Sequence, residues 1–445
     1  MRRTAIVLTA LLAPTALRAQ LPDVSPRAVA LAGAYGATAR GFEAVAWNPA
    51  MLAARGNPGL TIALPRLTLE TGSNTFSWGD LTHYANRHLT DQDKADLMAK
   101  IVHDDSSLTL RAIVGSAPLG LSIGHFGLLV AASGEGTMAG PRDAVELALY
   151  GNAHRSGAGE SFSAHGANGR AWAATTVAGS FAHAFDLPVG RLSVGATYKY
   201  VIGNFIGRGA EISSSFSVDP LVNVRADMGS IYTSYPSSAP SLADAFGALK
   251  AGTGYGVDLG GALQLAGRSI TVSATLVNAL GQMKWDPSRL EFERATFTAI
   301  QNADGSINSD NWQRRYYKTP ADIAGDPTAA AARDSLLAHA DFARLLRLGA
   351  ALRSGKLSLA GGAQVRLAEG LDSQPSKEVA AGAEYRLLGF LPVRAGAAYD
   401  IGKTLTLSGG LGLSLAFFHL DFAAAAITRS DRPGLRLALG TGLEF

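Results

Sequence analysis

The chain ends Leu435-Arg436-Leu437-Ala438-Leu439-Gly440-Thr441-Gly442-Leu443-Glu444-Phe445. Counting back from Phe445 in steps of two gives Leu443, Thr441, Leu439, Leu437 and Leu435. The residues between them are Glu444, Gly442, Gly440, Ala438 and Arg436. Side chains on a strand alternate between its faces, so one face is apolar with an aromatic end and the other is small or charged. A half-buried strand of a soluble sandwich would alternate in the same way. In a chain with no cysteine and with 51 glycines among 445 residues, it reads better as a wall strand of a transmembrane β-barrel.

The N-terminus predicts export. Arg2 and Arg3 precede an apolar run from Thr4 to Leu12, and Ala19-Gln20 offers a cleavage point, so residues 1–19 are read as a signal peptide. The cleavage site is imperfect, with Leu17 three residues before the cut. The apolar core is shorter than the ~20 residues that span a bilayer as a helix. Beyond residue 20 the best helical candidate, Leu411 to Ile427, is interrupted by His419 and Asp421. Lack of cysteine excludes a disulfide framework, a thiolate metal site and a Cys nucleophile. A net charge of +3 without a basic run gives no reason to expect a nucleic-acid partner.

Walking back from Phe445 divides the chain into hairpins. Short inner turns are expected near Ala416-Phe417-Phe418, Leu388–Pro392, Arg353–Lys356, Ala266–Ser269, Asp186–Arg191 and Ser116–Gly120. Outer connections are expected at Thr428–Gly434, Asp400–Lys403, Glu369–Lys377, Gly281–Phe342, Asn204–Thr253, Gly134–Arg170 and Gly72–Ser106. Short turns at one end and long loops at the other are the asymmetry of outer-membrane barrels, and the count is roughly fourteen strands, an even number. The fold expected is therefore all-β: a transmembrane antiparallel barrel over residues 58–445, its first strand running Pro58 to Leu69, with residues 20–57 ahead of it.

Parity assigns the faces. Leu405, Leu407, Leu411, Leu413 and Leu415 oppose Thr404, Thr406, Ser408, Gly412 and Ser414. An Arg or Lys facing mid-bilayer lipid costs about 2–4 kcal/mol, so the charged parity must be the lumen. It includes Lys199, Asp258, Arg347, Arg353, Gln364, Arg366, Glu384, Arg386, Arg394, Asp400, His419, Asp421, Arg436 and Glu444. These residues brace a filled lumen, or a subset (Arg366, Arg386 and Arg394, with His419 beside them) orients an anionic head group such as a carboxylate. In the outer loops, Thr90 with Asp93, Ser241 with Asp244, and Asp326-Pro327 read as helix starts, the last opening a helix to about Arg344.

Catalytic motifs are weak. Gly120-Leu121-Ser122-Ile123-Gly124 matches the letters of a nucleophile elbow but continues into strand-like sequence where a helix is required. The nine histidines show no metal-ligand spacing, and Asp304-Gly305-Ser306-Ile307-Asn308 lacks the alternating acidic ligands of a calcium loop. No enzyme activity, metal or cofactor is expected.

The segment before the first strand carries Gly33, Ala34 and Gly36, then Trp47-Asn48-Pro49-Ala50. This order resembles the FadL superfamily of outer-membrane barrels, in which a small-residue, Gly-containing segment precedes a Trp/Tyr-Asn-Pro-Ala stretch. The resemblance implies that residues 20–57 form a hatch plugging the barrel. It also implies location in the bacterial outer membrane, among lipid and lipopolysaccharide, and transport of a fatty-acid, hydrocarbon or other amphipathic ligand. Phe445 at the end of the last strand is similar to the signal read by the barrel-assembly machinery. Val194–Tyr200 and Leu276–Trp285 resemble uncharacterised or secretion-linked members of the superfamily, the latter similar to PorV-like barrels, whose long outer loops hold a protein partner. Both functions are therefore carried forward.

Overall fold

The computed structural model describes residues 24–76, 78–84, 87–101, 108–150, 161–217, 223–234, 249–266, 269–302, 304–308, 312–338, 340–371, 374–401, 404–429 and 434–445. The expected signal peptide and the helix start at Ser241 lie outside these residues. Fourteen antiparallel strands form the wall. In chain order they are β1 (Leu60–Ser73), β2 (Leu108–Ile123), β3 (Phe126–Gly140), β4 (Asn168–Leu187), β5 (Gly190–Ser217), β6 (Gly252–Leu265) and β7 (Ile270–Trp285). They continue as β8 (Arg344–Ser354), β9 (Leu357–Ala368), β10 (Lys377–Leu387), β11 (Leu391–Asp400), β12 (Thr404–Leu415), β13 (Phe418–Arg429) and β14 (Gly434–Glu444).

Each wall strand pairs with the next, and β14 returns to β1 in the register Leu437↔Leu69 and Leu443↔Ile62. Closure leaves the wall no free edge, the condition for a β-protein to cross a bilayer. No described helix is long and apolar enough to cross a membrane. The seam is finished by main chain: Phe445 N donates to Leu60 O at 2.9 Å, and Leu60 N donates to Phe445 O at 3.2 Å. The Phe445 ring stacks on Phe417 of the adjacent short turn, with centroids 5.4 Å apart.

Parity holds along the wall. Leu405, Leu407, Leu411, Leu437 and Leu439 are exposed on the outside, whereas Arg394 and Asp421 are buried inside. One expected turn is wrong. Ser116–Gly120 is continuous wall, and the chain reverses instead at Gly124-His125. Pro118 lies in a β-bulge between Ser116 and Leu119, opposite a second irregularity at Leu64-Pro65 between Ala63 and Arg66. Proline lacks the N–H a ladder needs, and a bulge is a place where a strand accepts it.

Three outer loops also begin later than expected. β3 continues to Gly140, β5 to Ser217 and β7 to Trp285, because pairing persists beyond the apolar belt, where alternation is no longer demanded. The end of β5 pairs with strand Asn223–Thr233, which pairs with Leu290–Gln301, which in turn pairs with Gln313–Tyr317. This sheet stands outside the wall. Helix α1 (Asp91–Lys100) has a Thr90/Asp93 capping box, and helix α2 (Pro327–Leu337) is capped by Asp326. Helix α2 ends seven residues before Arg344, because Arg344 already belongs to β8.

Candidate functional site

Residues 24–57 lie inside the barrel. They run through a helix at Pro26–Ala30, a 3-10 turn at Gly41–Glu43, a helical turn at Ala44–Trp47 and a 3-10 helix at Pro49–Ala53. Ser25 caps the first helix, and Asn48 caps the last by accepting from Ala50 N at 3.1 Å. The segment has a small apolar cluster of its own, built on Leu31, Tyr35, Trp47, Met51 and Leu52, which the wall closes with Ala182 and Ala262. The wall accommodates it with glycines paired across neighbouring strands: Gly195↔Gly260, Gly349↔Gly362 and Gly382↔Gly396. A Cβ on Gly195 would lie 2.6 Å from the carbonyl carbon of Pro49, and one on Gly382 2.9 Å from Leu31 Cβ. Gly260 faces the side chain of Asn48, and Gly362 the backbone of Ala34. Asn48 is fully buried, and its Nδ2 donates to Gly261 O at 3.2 Å.

Charge holds what glycine admits. Glu43, buried in the hatch, accepts from Ser25 Oγ at 2.7 Å, from the Tyr35 hydroxyl and from Arg66 of β1. Burial alone would push the Glu43 carboxyl up. Arg66, Arg27 and the Tyr35 and Ser25 hydrogen bonds outweigh burial and hold it below its ordinary value. Arg66 also lies 4.6 Å from the Phe42 ring centroid. Two strands away, across Gly440 of β14, Arg27 meets Asp421 at 3.1 Å, Asp421 meets Arg394 at 2.6 Å, and Arg394 meets Glu384 at 2.7 Å. A third cluster sits in the wall itself: Lys199 Nζ contacts Asp258 at 2.6 Å and Asn278 at 2.5 Å, beside the β-bulge that gives Asn278 a φ of 53°.

The hatch separates two sets of cavities. On the long-loop side, a pocket of about 170 Å³ rests on Ala32, Gly33 and Trp47 and opens to a vestibule of about 710 Å³. Trp47 packs edge-on against Tyr35 at 5.6 Å, with the Arg347 guanidinium 4.6 Å from its ring centroid. Three buried polar atoms around this pocket have no partner among the described residues: Thr68 Oγ1, Trp172 Nε1 and Gln364 Nε2. Charges that line it form a ladder across four strands, Arg436–Glu70–Arg111–Glu135. On the short-turn side lie adjoining cavities of about 250 and 330 Å³.

The residues singled out in the sequence are thereby divided. Gly33 and Trp47 form the floor of the upper pocket. Ala34, Gly36, Asn48, Pro49 and Ala50 seat the hatch: Gly36 faces Ser273, and Pro49 and Ala50 face Gly195. Arg366 lines the outer vestibule, donating to Gln374 O at 2.7 Å. Arg386, Arg394 and His419 lie on the other side of the hatch, where His419 meets Glu444 at 3.2 Å. The structure therefore does not bring Arg366 together with the other three. Sequence reasoning does not pick out Glu43, Arg66, Trp172 or Arg40. Arg66 shares the parity of Thr68 and Glu70, a signal that could have found it; Glu43 and Arg40 lie where no period operates. Ser122 is fully buried, shares a 2.7 Å hydrogen bond with Thr61 and is followed by a hairpin, so it forms no nucleophile elbow.

A family model described as a family of unknown function, DUF5723, matches residues 49–425. The chain belongs to this family. No curated protein matches it. Among solved structures it is similar to a deltaS2 mutant of the TodX monoaromatic hydrocarbon channel, at 11% identity over 95% of this chain and 100% of that one, with a TM-score of 0.50. It is also similar to the CymD monoaromatic hydrocarbon channel, at 12% identity over 95% and 97%, with a TM-score of 0.48. A Pseudomonas aeruginosa FadL homologue matches at 11% identity over 97% and 100%, with a TM-score of 0.46. With its closed fourteen-strand wall, this DUF5723 barrel has the fold of FadL-type barrels.

Proposed function

We propose that this barrel is a conduit for amphipathic or hydrophobic small molecules across the bacterial outer membrane. The observation that carries the reading is the pocket on the hatch floor. Trp47 and Trp172 supply apolar surface there, and Thr68 Oγ1, Trp172 Nε1 and Gln364 Nε2 have no partner among the described residues. Buried polar groups are ordinarily hydrogen-bonded, so water or the polar end of a ligand would satisfy these atoms, and the two tryptophans suit the apolar remainder of such a ligand. The hatch fills the bore between the two cavity sets, which argues against a general porin. Arg366 at the mouth and Arg386, Arg394 and His419 beyond the hatch would meet the polar end in succession. In this reading residues 1–19 direct export, the assembly machinery recognises Phe445, and lipid and lipopolysaccharide surround the apolar belt. A deletion strain carrying wild type, Trp47→Ala or empty vector tests it by uptake of labelled fatty acids and aromatic hydrocarbons. Equal uptake of every compound by wild type and empty vector rejects the conduit.

One observation favours a second reading, a scaffold for a protein partner. The sheet outside the wall exposes Trp312 and Tyr316, 52% and 46% accessible. Aromatic side chains are enriched at protein interfaces. Cross-linking of an outer-membrane or surface partner through this sheet, lost in Trp312→Ser/Tyr316→Ser, would support that role.

A further inference from the structure

The cavities on the short-turn side of the hatch adjoin one another and share Thr38, Arg40, Arg353 and Ser358. Their charges are unevenly matched. Arg27 and Arg394 are engaged by Asp421 and Glu384, and His419 by Glu444. Arg386 reaches Glu384 only at 3.5 Å, and that carboxylate already meets Arg394 at 2.7 Å. Arg40 of the hatch and Arg353 at the end of β8 line both cavities and make no side-chain ion pair among the described residues. The upper vestibule differs, since its arginines alternate with carboxylates. Guanidinium groups gathered in a concavity repel one another and concentrate anions, here at partly exposed Arg353 and Arg386.

We propose that this double cavity binds an anionic head group, a carboxylate or a phosphate, between Arg40 and Arg353, with Arg386 at the rim. Guanidinium forks match both oxyanions in a bidentate geometry. The larger cavity, about 330 Å³, is of the size that small-ligand sites occupy. The inference rests on the conduit reading only for the route by which the ligand arrives; the binding itself is independent of it.

Titration calorimetry on full-length protein in detergent micelles tests the site with octyl phosphate, octanoate, inorganic phosphate and octanol. Octyl phosphate and octanoate are expected to bind at least about tenfold tighter than octanol. Arg40→Gln/Arg353→Gln should remove that preference, Arg353→Lys should keep part of it, and Arg314→Gln on the outer sheet should keep all of it. Since Arg40 and Arg353 support no described ion pair, the double variant should stay heat-modifiable like wild type, which separates loss of binding from loss of fold. Inorganic phosphate binding as tightly as octyl phosphate assigns the site to the free ion; octyl phosphate winning by about tenfold assigns it to an amphiphile's head group. No preference for anions in wild type, or one that survives the double variant, overturns the proposal. Uptake is measured separately. Binding without uptake removes the conduit and keeps this site; uptake unchanged by the double variant, with no anion preference, does the reverse.

Discussion

Removing Glu43 should unlatch the hatch while leaving the wall intact. In the native barrel Glu43 and Arg66 are 5% and 4% exposed, and the Glu43 carboxylate also accepts from Ser25 and Tyr35. Glu43→Ala leaves the Arg66 guanidinium buried without its anion. Breaking a buried pair by deleting one partner costs about 3–5 kcal/mol. The Phe42 ring beside Arg66 stays in the variant, and its cation–π attraction of about 0.5–2 kcal/mol is present in both docked proteins, so it does not restore the difference. The docked state should therefore lose about two or more powers of ten in its equilibrium constant. Two assays read this directly: trypsin cleavage at Arg40 in the assembled, heat-modifiable barrel, and single-channel conductance in planar bilayers. The variant should be cut and should show open events that wild type lacks, with Glu43→Gln between the two. The pH dependence has a defined sign. The Glu43 carboxyl is held below its ordinary 4.5 when docked, so its stabilisation is complete above that value and fades as pH falls through the depressed one. Wild type should loosen in acid, and Glu43→Gln should not share that transition. An assembled Glu43→Ala barrel as trypsin-resistant and as silent as wild type would refute the latch.

Three further outcomes are expected. Gly195→Val and Gly382→Val should each destabilise the barrel by about 1–3 kcal/mol through collision with Pro49 and Leu31, whereas Gly409→Val, with ordinary contact only, should not; urea unfolding followed by heat-modifiability distinguishes them. Deleting Phe445 should lower the assembled fraction on electrophoresis, because it removes both main-chain bonds to Leu60 and the stack on Phe417. Leu439→Arg, on the exposed outer face of β14, should cost about 2–4 kcal/mol in a bilayer if the position lies near the midplane, measured by the same urea transition in vesicles.

The wall was largely legible because its rule is local. From β8 to β14 each strand carries its own period-2 signal, and turns such as Leu388-Gly389-Phe390 and Ala416-Phe417 are too short to mislead. The rule failed where something other than the apolar belt decided the conformation. Pro118 beside Gly120 looks like a reversal, yet the ladder absorbs it in a bulge. Above the bilayer, β5 and β7 continue on cross-strand pairing alone, so their lengths leave no hydropathy trace.

The hatch shows a different limit. Gly33, Ala34 and Trp47-Asn48-Pro49-Ala50 mark the segment, but the seat that receives it is scattered. Gly195 meets Gly260 only after a long loop has come and gone, and the wall carries glycines on its lipid face as well, Gly409 among them. Composition counts both kinds alike; closure of the wall tells them apart, by turning one kind toward Pro49 and Leu31. Charge behaves in the same way. A net of +3 says nothing about partners, yet Arg111 and Arg436 are paired with carboxylates above the hatch while Arg386 is only loosely matched below it. That difference arises from register and hatch position together, so the two faces of the hatch present different charge although the residue types lining them are alike.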